Sequence, residues 1–342
     1  MFEKQIRIPS AEEIIEKQPL PASLAQIKRE RDELCKDVIA GRSQKLIVVV
    51  GPCSAHESKP VLEYVRRLGK LNERVKDKLV LVPRIYTNKP RTKGVGYKGM
   101  FSQPDPENKE DILKGIQTIR ALHIAAIEES GLSAADEMLY PENFAYVEDV
   151  LTYVAVGARS SENQLHRLVS SGIEVPVGVK NSTGGSIPVL LNSIYASQSR
   201  QVFKYNDYQV STNGNEYAHA VLRGRVDHHG NDLPNYHYET VMQVFEGYAK
   251  MDGELKNPAV VIDANHSNSG KRFHQQIRIV EEVLQNRLYD KDFKRVVKGF
   301  MIESFLEEGC QQHDVVFGKS ITDPCLGWAD TERLLLDIAE KA

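Results

Sequence analysis

Eight short runs rich in aliphatic and β-branched residues, mostly separated by segments of helical periodicity, constrain this chain more than any other feature. The runs cover residues 46–50, 79–85, 134–138, 154–158, 175–179, 219–222, 259–262 and 296–302. Helix-like segments fall at 59–72, 111–130, 145–153, 162–171, 238–249, 272–285 and 331–341. Alternation of this kind builds a parallel sheet with helices on its faces. Eight units predict a (β/α)8 TIM barrel, with an open doubly wound sheet as the alternative. Such a barrel takes ~250 residues, and the chain has 342. The surplus is assigned to an N-terminal helical extension, residues 1–45, ahead of a catalytic barrel, residues 46–342.

Within the extension, Ser10-Ala11-Glu12-Glu13 has the capping-box spacing that opens a helix. A longer helix is expected over 21–40, with Gly41 as its stop. A second departure from plain alternation follows the helix-like piece at 189–197. Two strand-like pieces, 201–205 and 208–212, flank a turn at Asn206-Asp207 and read as an inserted β-hairpin. His228-His229-Gly230-Asn231 is expected in a surface loop.

The formal net charge of −3 supplies no whole-protein field to recruit nucleic acid or membrane. Cys35, Cys53, Cys310 and Cys325 form no CxxC pair. The first residues carry no apolar signal core, and no apolar run reaches the ~18 residues of a membrane span. A cytoplasmic, thiol-reduced protein is the expectation.

In a barrel, reactive side chains gather at the C-terminal ends of the strands. Those ends fall at Cys53, Arg84, Glu137, Arg159, Lys180, Arg223, His266 and Glu303, all polar or ionisable. After the second run the chain adds Lys89-Pro90-Arg91-Thr92 and Lys93. Arg84, Lys89, Arg91, Arg159, Lys180 and Arg223 would repel one another unless anions joined them. Arginine grips phosphate or carboxylate through paired N–H groups, and lysine adds a point charge. Gly157 and Ala158 ahead of Arg159 let backbone approach a phosphate closely. Cys53, His266, Glu303 and Asp323 are of types that bind a borderline divalent metal. Their spacing matches no local metal motif. A buried thiol, a satisfied histidine and a helix-capping aspartate are the plain alternatives.

The ordered motifs Gly51-Pro52-Cys53-Ser54, Lys89-Pro90-Arg91-Thr92, Gly157-Ala158-Arg159, Val179-Lys180-Asn181, Leu222-Arg223-Gly224, Asn265-His266-Ser267-Asn268-Ser269, Met301-Ile302-Glu303-Ser304 and Gly318-Lys319-Ser320-Ile321-Thr322-Asp323 resemble those of the type I 3-deoxy-D-arabino-heptulosonate 7-phosphate (DAHP) synthases. The resemblance runs from about residue 46 to the C-terminus. It implies a transferase that condenses phosphoenolpyruvate with D-erythrose 4-phosphate, the first step of the shikimate pathway. Arg84, Glu137, Gly157, Ala158, Arg159, Lys180 and Arg223 then match positions around phosphoenolpyruvate. Lys89 lies between the substrates, and Pro90, Arg91 and Thr92 match the aldose-phosphate side. Cys53, His266, Glu303 and Asp323 match ligands of one divalent ion (manganese, iron, cobalt or zinc, manganese favoured). The catalytic set is Lys89, Cys53 and His266. The resemblance also implies a homodimer or homotetramer; relatives are often inhibited by an aromatic amino acid, and phenylalanine, tyrosine, tryptophan and none are equal candidates here.

Four features depart from the common pattern. Lys93 stands where many relatives have threonine, and the loop to Tyr97-Lys98-Gly99 is one residue longer than in some. Asp136 replaces a small residue before Glu137, and Asn265 replaces serine before His266. These are expected to alter the pocket edges rather than the reaction.

Overall fold

Eight parallel strands form one sheet: β1 (Leu46–Gly51), β2 (Leu79–Pro83), β3 (Ala134–Glu137), β4 (Leu151–Val156), β5 (Val177–Lys180), β6 (Ala218–Leu222), β7 (Val260–Asp263) and β8 (Val297–Glu303). The computed structural model describes residues 1–91, 94–251, 253–313 and 316–342. Sequential strands are neighbours, and β8 lies beside β1. The ring is nearly closed where β2 and β3 meet. There Arg84 bridges Ala135, and Ile85 N–H donates to Ala135 O at 3.0 Å.

The strands are apolar on both faces because both faces are covered. Alternate side chains point opposite ways. Ile47, Val49, Val80, Val82, Tyr153, Val221, Val261 and Met301 fill the barrel interior. Leu46, Val48, Val50, Leu79 and Leu81 pack in the cluster under the surrounding helices. Tyr153 takes the space that Gly178 leaves on β5. A Cβ at Gly178 would lie 2.1 Å from the tyrosine oxygen, which hydrogen-bonds His219 Nε2 at 2.7 Å.

Two helices precede β1. α1 (Ala11–Lys17) starts at a capping box, with Ser10 and Glu13 each bonding the other's backbone N–H. α2 (Ala22–Ile39) sends Cys35, Val38 and Ile39 into the same cluster as the barrel interior. Its Arg31 donates to Leu81 O, and its Asp32 accepts from Thr152 Oγ1 at 2.6 Å. α2 therefore stoppers the end of the barrel where the strands begin.

One expected helix is corrected. Residues 145–153 do not form a helix; a single turn at Pro141–Phe144 and a 3-10 turn at Glu148–Val150 lead directly into β4. Leu151 and Tyr153 are buried and pair with β3, so tertiary pairing overrides local periodicity. β4 ends at Val156, which leaves Gly157-Ala158-Arg159 in a loop at the mouth. Val202–Tyr205 and Tyr208–Ser211 pair antiparallel around Asn206, whose φ is 50°. A second small ladder, Arg225–Val226 with Asp232–Leu233, flanks the loop at 228–231. No helix among the described residues is long and apolar enough to cross a membrane.

Candidate active site

The strand ends converge on a cavity of about 360 Å³. Its lining includes Cys53, Arg84, Lys89, Pro90, Arg91, Glu137, Gly157, Ala158, Arg159, Lys180, Arg223, His266 and Asp323. Glu303 lies just beneath, bonded by Arg84 and Asn265. Thr92 and Lys93 fall outside the described residues.

The loop after β2 is set by buried bonds. Arg84 donates to Pro52 O and, at 3.0 Å, to Glu303 Oε1, while its guanidinium sits 3.7 Å over the Tyr86 ring. Arg91 Nε donates to Tyr97 O at 2.8 Å. Asp136, one of the departures noted in the sequence, holds this loop. Its carboxylate accepts Thr87 N–H at 2.9 Å, the Thr87 hydroxyl, and Glu137 N–H at 2.7 Å. His123 Nε2 lies 3.5 Å away. Thr87 is two residues from Lys89, so Asp136 positions the lysine through the backbone. Asp136→Ala should lower kcat on the order of 10–100-fold, as loss of an orienting outer partner does. Asp136→Asn, which keeps an acceptor for Thr87 N–H, should recover part of that. Steady-state kinetics beside thermal midpoints test it; equal activity in both variants would remove the positioning role.

Across the mouth, three of the four candidate metal donors gather, and the fourth, His266, lies beside one of them. Cys53 Sγ and carboxylate oxygens of Glu303 and Asp323 lie within 4.8 Å of one another. His266 Nε2 is 3.8 Å from Glu303 Oε1. Its Nδ1 is 2.9 Å from Asp263 Oδ2, a carboxylate that also lies 3.2 Å from Lys180 Nζ. The carboxylate lies behind the histidine without an aligned hydrogen bond to Nδ1 among the described residues. Glu303 is held further by Asn265 Nδ2 at 2.6 Å, and its backbone by both amide atoms of Gln276. Burial lowers the His266 pKa and Lys180 lowers it further, against the pull of Asp263, so the ring is neutral and able to donate an electron pair at neutral pH. The set mixes sulfur, nitrogen and oxygen donors and fits a borderline divalent ion.

Lys89 Nζ reaches into this cluster, 2.7 Å from Cys53 Sγ and 3.1 Å from Asp323 Oδ2. Burial alone would depress its pKa, but Cys53 and Asp323 prevail and raise it, so Lys89 is an ammonium. Burial pushes the Cys53 thiol up, and Glu303 adds to this. Burial would also raise Asp323, yet Lys89 and Lys271 hold it well below the usual carboxylate range.

On the opposite wall the cations are less satisfied. Arg223 Nη1 is buried with no hydrogen-bond partner among the described residues. Its pKa is lowered by burial; Asp263 pulls it back up, and Arg159 adds a smaller repulsion. Gly157 lies beside them, and a Cβ there would sit 2.6 Å from Glu137 Oε1, so that carboxylate would have to shift. Three asparagines lock this wall. Asn181 Oδ1 accepts from Arg223 N and Asn235 Nδ2, each at 3.0 Å, and Asn235 N donates to Asn268 Oδ1 at 2.8 Å.

Sequence reasoning missed several of these residues. Lys271 donates to Asp323 Oδ1 at 2.8 Å, and Asp263, Tyr86 and Asn235 support the walls. Asp263 alone carried a signal, being a carboxylate at the end of β7, three residues before His266.

Fold and site together define a TIM-barrel enzyme whose mouth sets unsatisfied cations opposite a mixed-donor cluster. Residues 17–336 match the model of the DAHP synthetase I family. The chain is 38% identical over 314 residues to the Trp-sensitive phospho-2-dehydro-3-deoxyheptonate aldolase of Enterobacter agglomerans, covering 89% of this chain and 86% of that one. It is 36% identical over 335 residues to the Phe-sensitive enzyme of that name from Escherichia coli, covering 95% and 92%. A solved phospho-2-dehydro-3-deoxyheptonate aldolase from Francisella tularensis superposes with a TM-score of 0.92 at 29% identity, covering 100% and 98% of the two chains. The chain belongs to the DAHP synthetase I family. It is an enzyme with 3-deoxy-7-phosphoheptulonate synthase activity, the activity its relatives' name denotes.

Proposed function

We propose that this enzyme joins phosphoenolpyruvate to D-erythrose 4-phosphate, giving DAHP and inorganic phosphate at the head of the shikimate pathway to chorismate and the aromatic amino acids. The observation that carries this reading is Arg223, whose buried Nη1 has no hydrogen-bond partner among the described residues, beside Arg159 in a cavity that also holds Lys89 and candidate metal donors. A buried cation without a counterion is costly, and a bound phosphate or carboxylate offsets that cost. Arg159, Lys180 and Arg223 hold the phosphate and carboxylate of phosphoenolpyruvate, with Glu137 and the backbone of Gly157 and Ala158 at its side. Arg84 shapes the floor through Glu303. Pro90 and Arg91 face the aldose phosphate.

Cys53, His266, Glu303 and Asp323 would hold the divalent ion, manganese by preference. When bound it supplies Lewis-acid polarisation of the aldehyde or activation of water. The methylene carbon of phosphoenolpyruvate attacks the aldehyde carbon, and Lys89 donates a proton to the alkoxide that forms. Water adds at the former enol carbon, and its C–O bond to phosphate breaks. The same reading makes the enzyme cytoplasmic and a homodimer or homotetramer. Relatives named Trp-, Phe- and Tyr-sensitive support feedback by an aromatic amino acid.

Purified protein with manganese should consume phosphoenolpyruvate, and release phosphate one for one, only when erythrose 4-phosphate is present. Turnover with another aldose phosphate, or an amino sugar phosphate, in its place would reassign the substrate. No consumption with either would leave a barrel that binds anions without turning them over.

A further inference from the structure

The opposite end of the barrel carries a cavity of about 640 Å³ that the proposed reaction does not use. It opens between the α2–β1 connection, the start of β8 and the helix at Lys291–Val296. Lys45, Arg287, Lys291, Lys294, Arg295 and Lys298 line it, and no aspartate or glutamate does so among the described residues.

Two of these cations are buried. Arg287 is 5% and Lys298 8% exposed. Arg287 Nη1 is spent on the carbonyls of Lys294 and Val297, but its Nε is buried without a partner among the described residues. Lys298 has no hydrogen-bond or ion-pair partner among the described residues, and its Nζ lies 3.4 Å from where a Cβ on Gly41 would stand. Burial first, then Arg287 and Arg295, depress its pKa to about 8. Two other cations are partly engaged at the rim. Lys45 donates to Lys76 O at 2.7 Å, and Arg295 is 3.2 Å from Asp292. Proteins seldom bury like charges together without an anion to join them. The formal net charge is −3, so the cluster runs against the chain's overall balance.

We propose that this cavity is a second anion site that takes a small phosphate-bearing metabolite. Arginine matches phosphate with paired N–H donors, and lysines serve phosphate as point charges. The volume and the buried position of Arg287 and Lys298 suit a small molecule reaching inward rather than a polymer lying across the surface. The site is separate from the C-terminal mouth and does not rest on the reaction assigned there.

Pyrophosphate is the probe, titrated calorimetrically into the full-length protein. Wild type should bind two per chain. Lys298→Met, which keeps the stem and removes the charge, should bind one, with kcat and KM for phosphoenolpyruvate within about twofold of wild type. Its thermal midpoint without ligand should be higher than wild type, because an unpaired buried charge has gone. Lys180→Met should lose the other site and keep this one. If Lys298→Met does not fold, the exposed pair Lys294→Ala with Arg295→Ala should weaken the same site about tenfold. Unchanged stoichiometry and affinity in these variants would overturn the proposal. Citrate displacing pyrophosphate from this site as well as phosphorylated compounds do would overturn the phosphate assignment.

Discussion

Lys89→Met should bind phosphoenolpyruvate nearly as tightly as wild type and turn over at least about 10³-fold more slowly, as loss of a proton donor or fixed charge does in other enzymes. Methionine keeps most of the stem, so the substitution removes the ammonium and little packing. The cations proposed to face the phosphate, Arg159, Lys180 and Arg223, end or follow other strands and do not bond Lys89 among the described residues. Binding should therefore survive. What goes is the one cation that touches both Cys53 and Asp323 among the described residues. In the proposed reaction, that ammonium is the group that would protonate the alkoxide formed from the aldehyde. Lys89→Arg should not rescue, because a planar fork cannot replace a compact point charge 2.7 Å from sulfur. Rapid-quench turnover beside calorimetric binding separates the effects. A rise in Kd as large as the fall in kcat would make Lys89 a binding residue and nothing more.

The barrel was legible because its strands are buried on both faces. An uninterrupted run such as Leu46-Ile47-Val48-Val49-Val50 is too short for a buried helix and too apolar for a strand with one wet face. The strand ends were legible for a related reason, since an ionisable residue ending such a run must reach the mouth. Residues 145–153 misled because β4 owes its start to pairing with β3, which local periodicity does not encode. The convergence of Cys53, Glu303 and Asp323 is likewise a property of the closed ring. β1 and β8 are adjacent only because the last strand returns to the first. Asp136 and Asn265 looked like edge variation, yet each is bonded into the site, one to the loop bearing Lys89 and the other to Glu303. Lys271 carried no signal, since it lies in an ordinary basic stretch and reaches Asp323 across 52 residues.

The second large effect concerns the metal. Cys53→Ala should reduce metal retention through dialysis at least about 10–100-fold and lower turnover with it, while unfolding costs shift by only about 1 kcal/mol. The asymmetry follows from where the sulfur sits. Cys53 is 2% exposed at the edge of the main core, but its Sγ contacts polar atoms, Lys89 Nζ at 2.7 Å and Asp323 Oδ2 at 3.3 Å. Losing one atom there leaves a small polar gap that water can fill, not an apolar cavity. A divalent ion, by contrast, would lose one of its four proposed donors and the only sulfur among them. Chelator treatment of wild type should abolish turnover and manganese should restore it. Cys53→Ala should need far more manganese for the same recovery. Elemental analysis after dialysis, read beside the recovery curve, decides the point: unchanged metal content in the variant would remove Cys53 from the ligand set and leave His266, Glu303 and Asp323 as the donors.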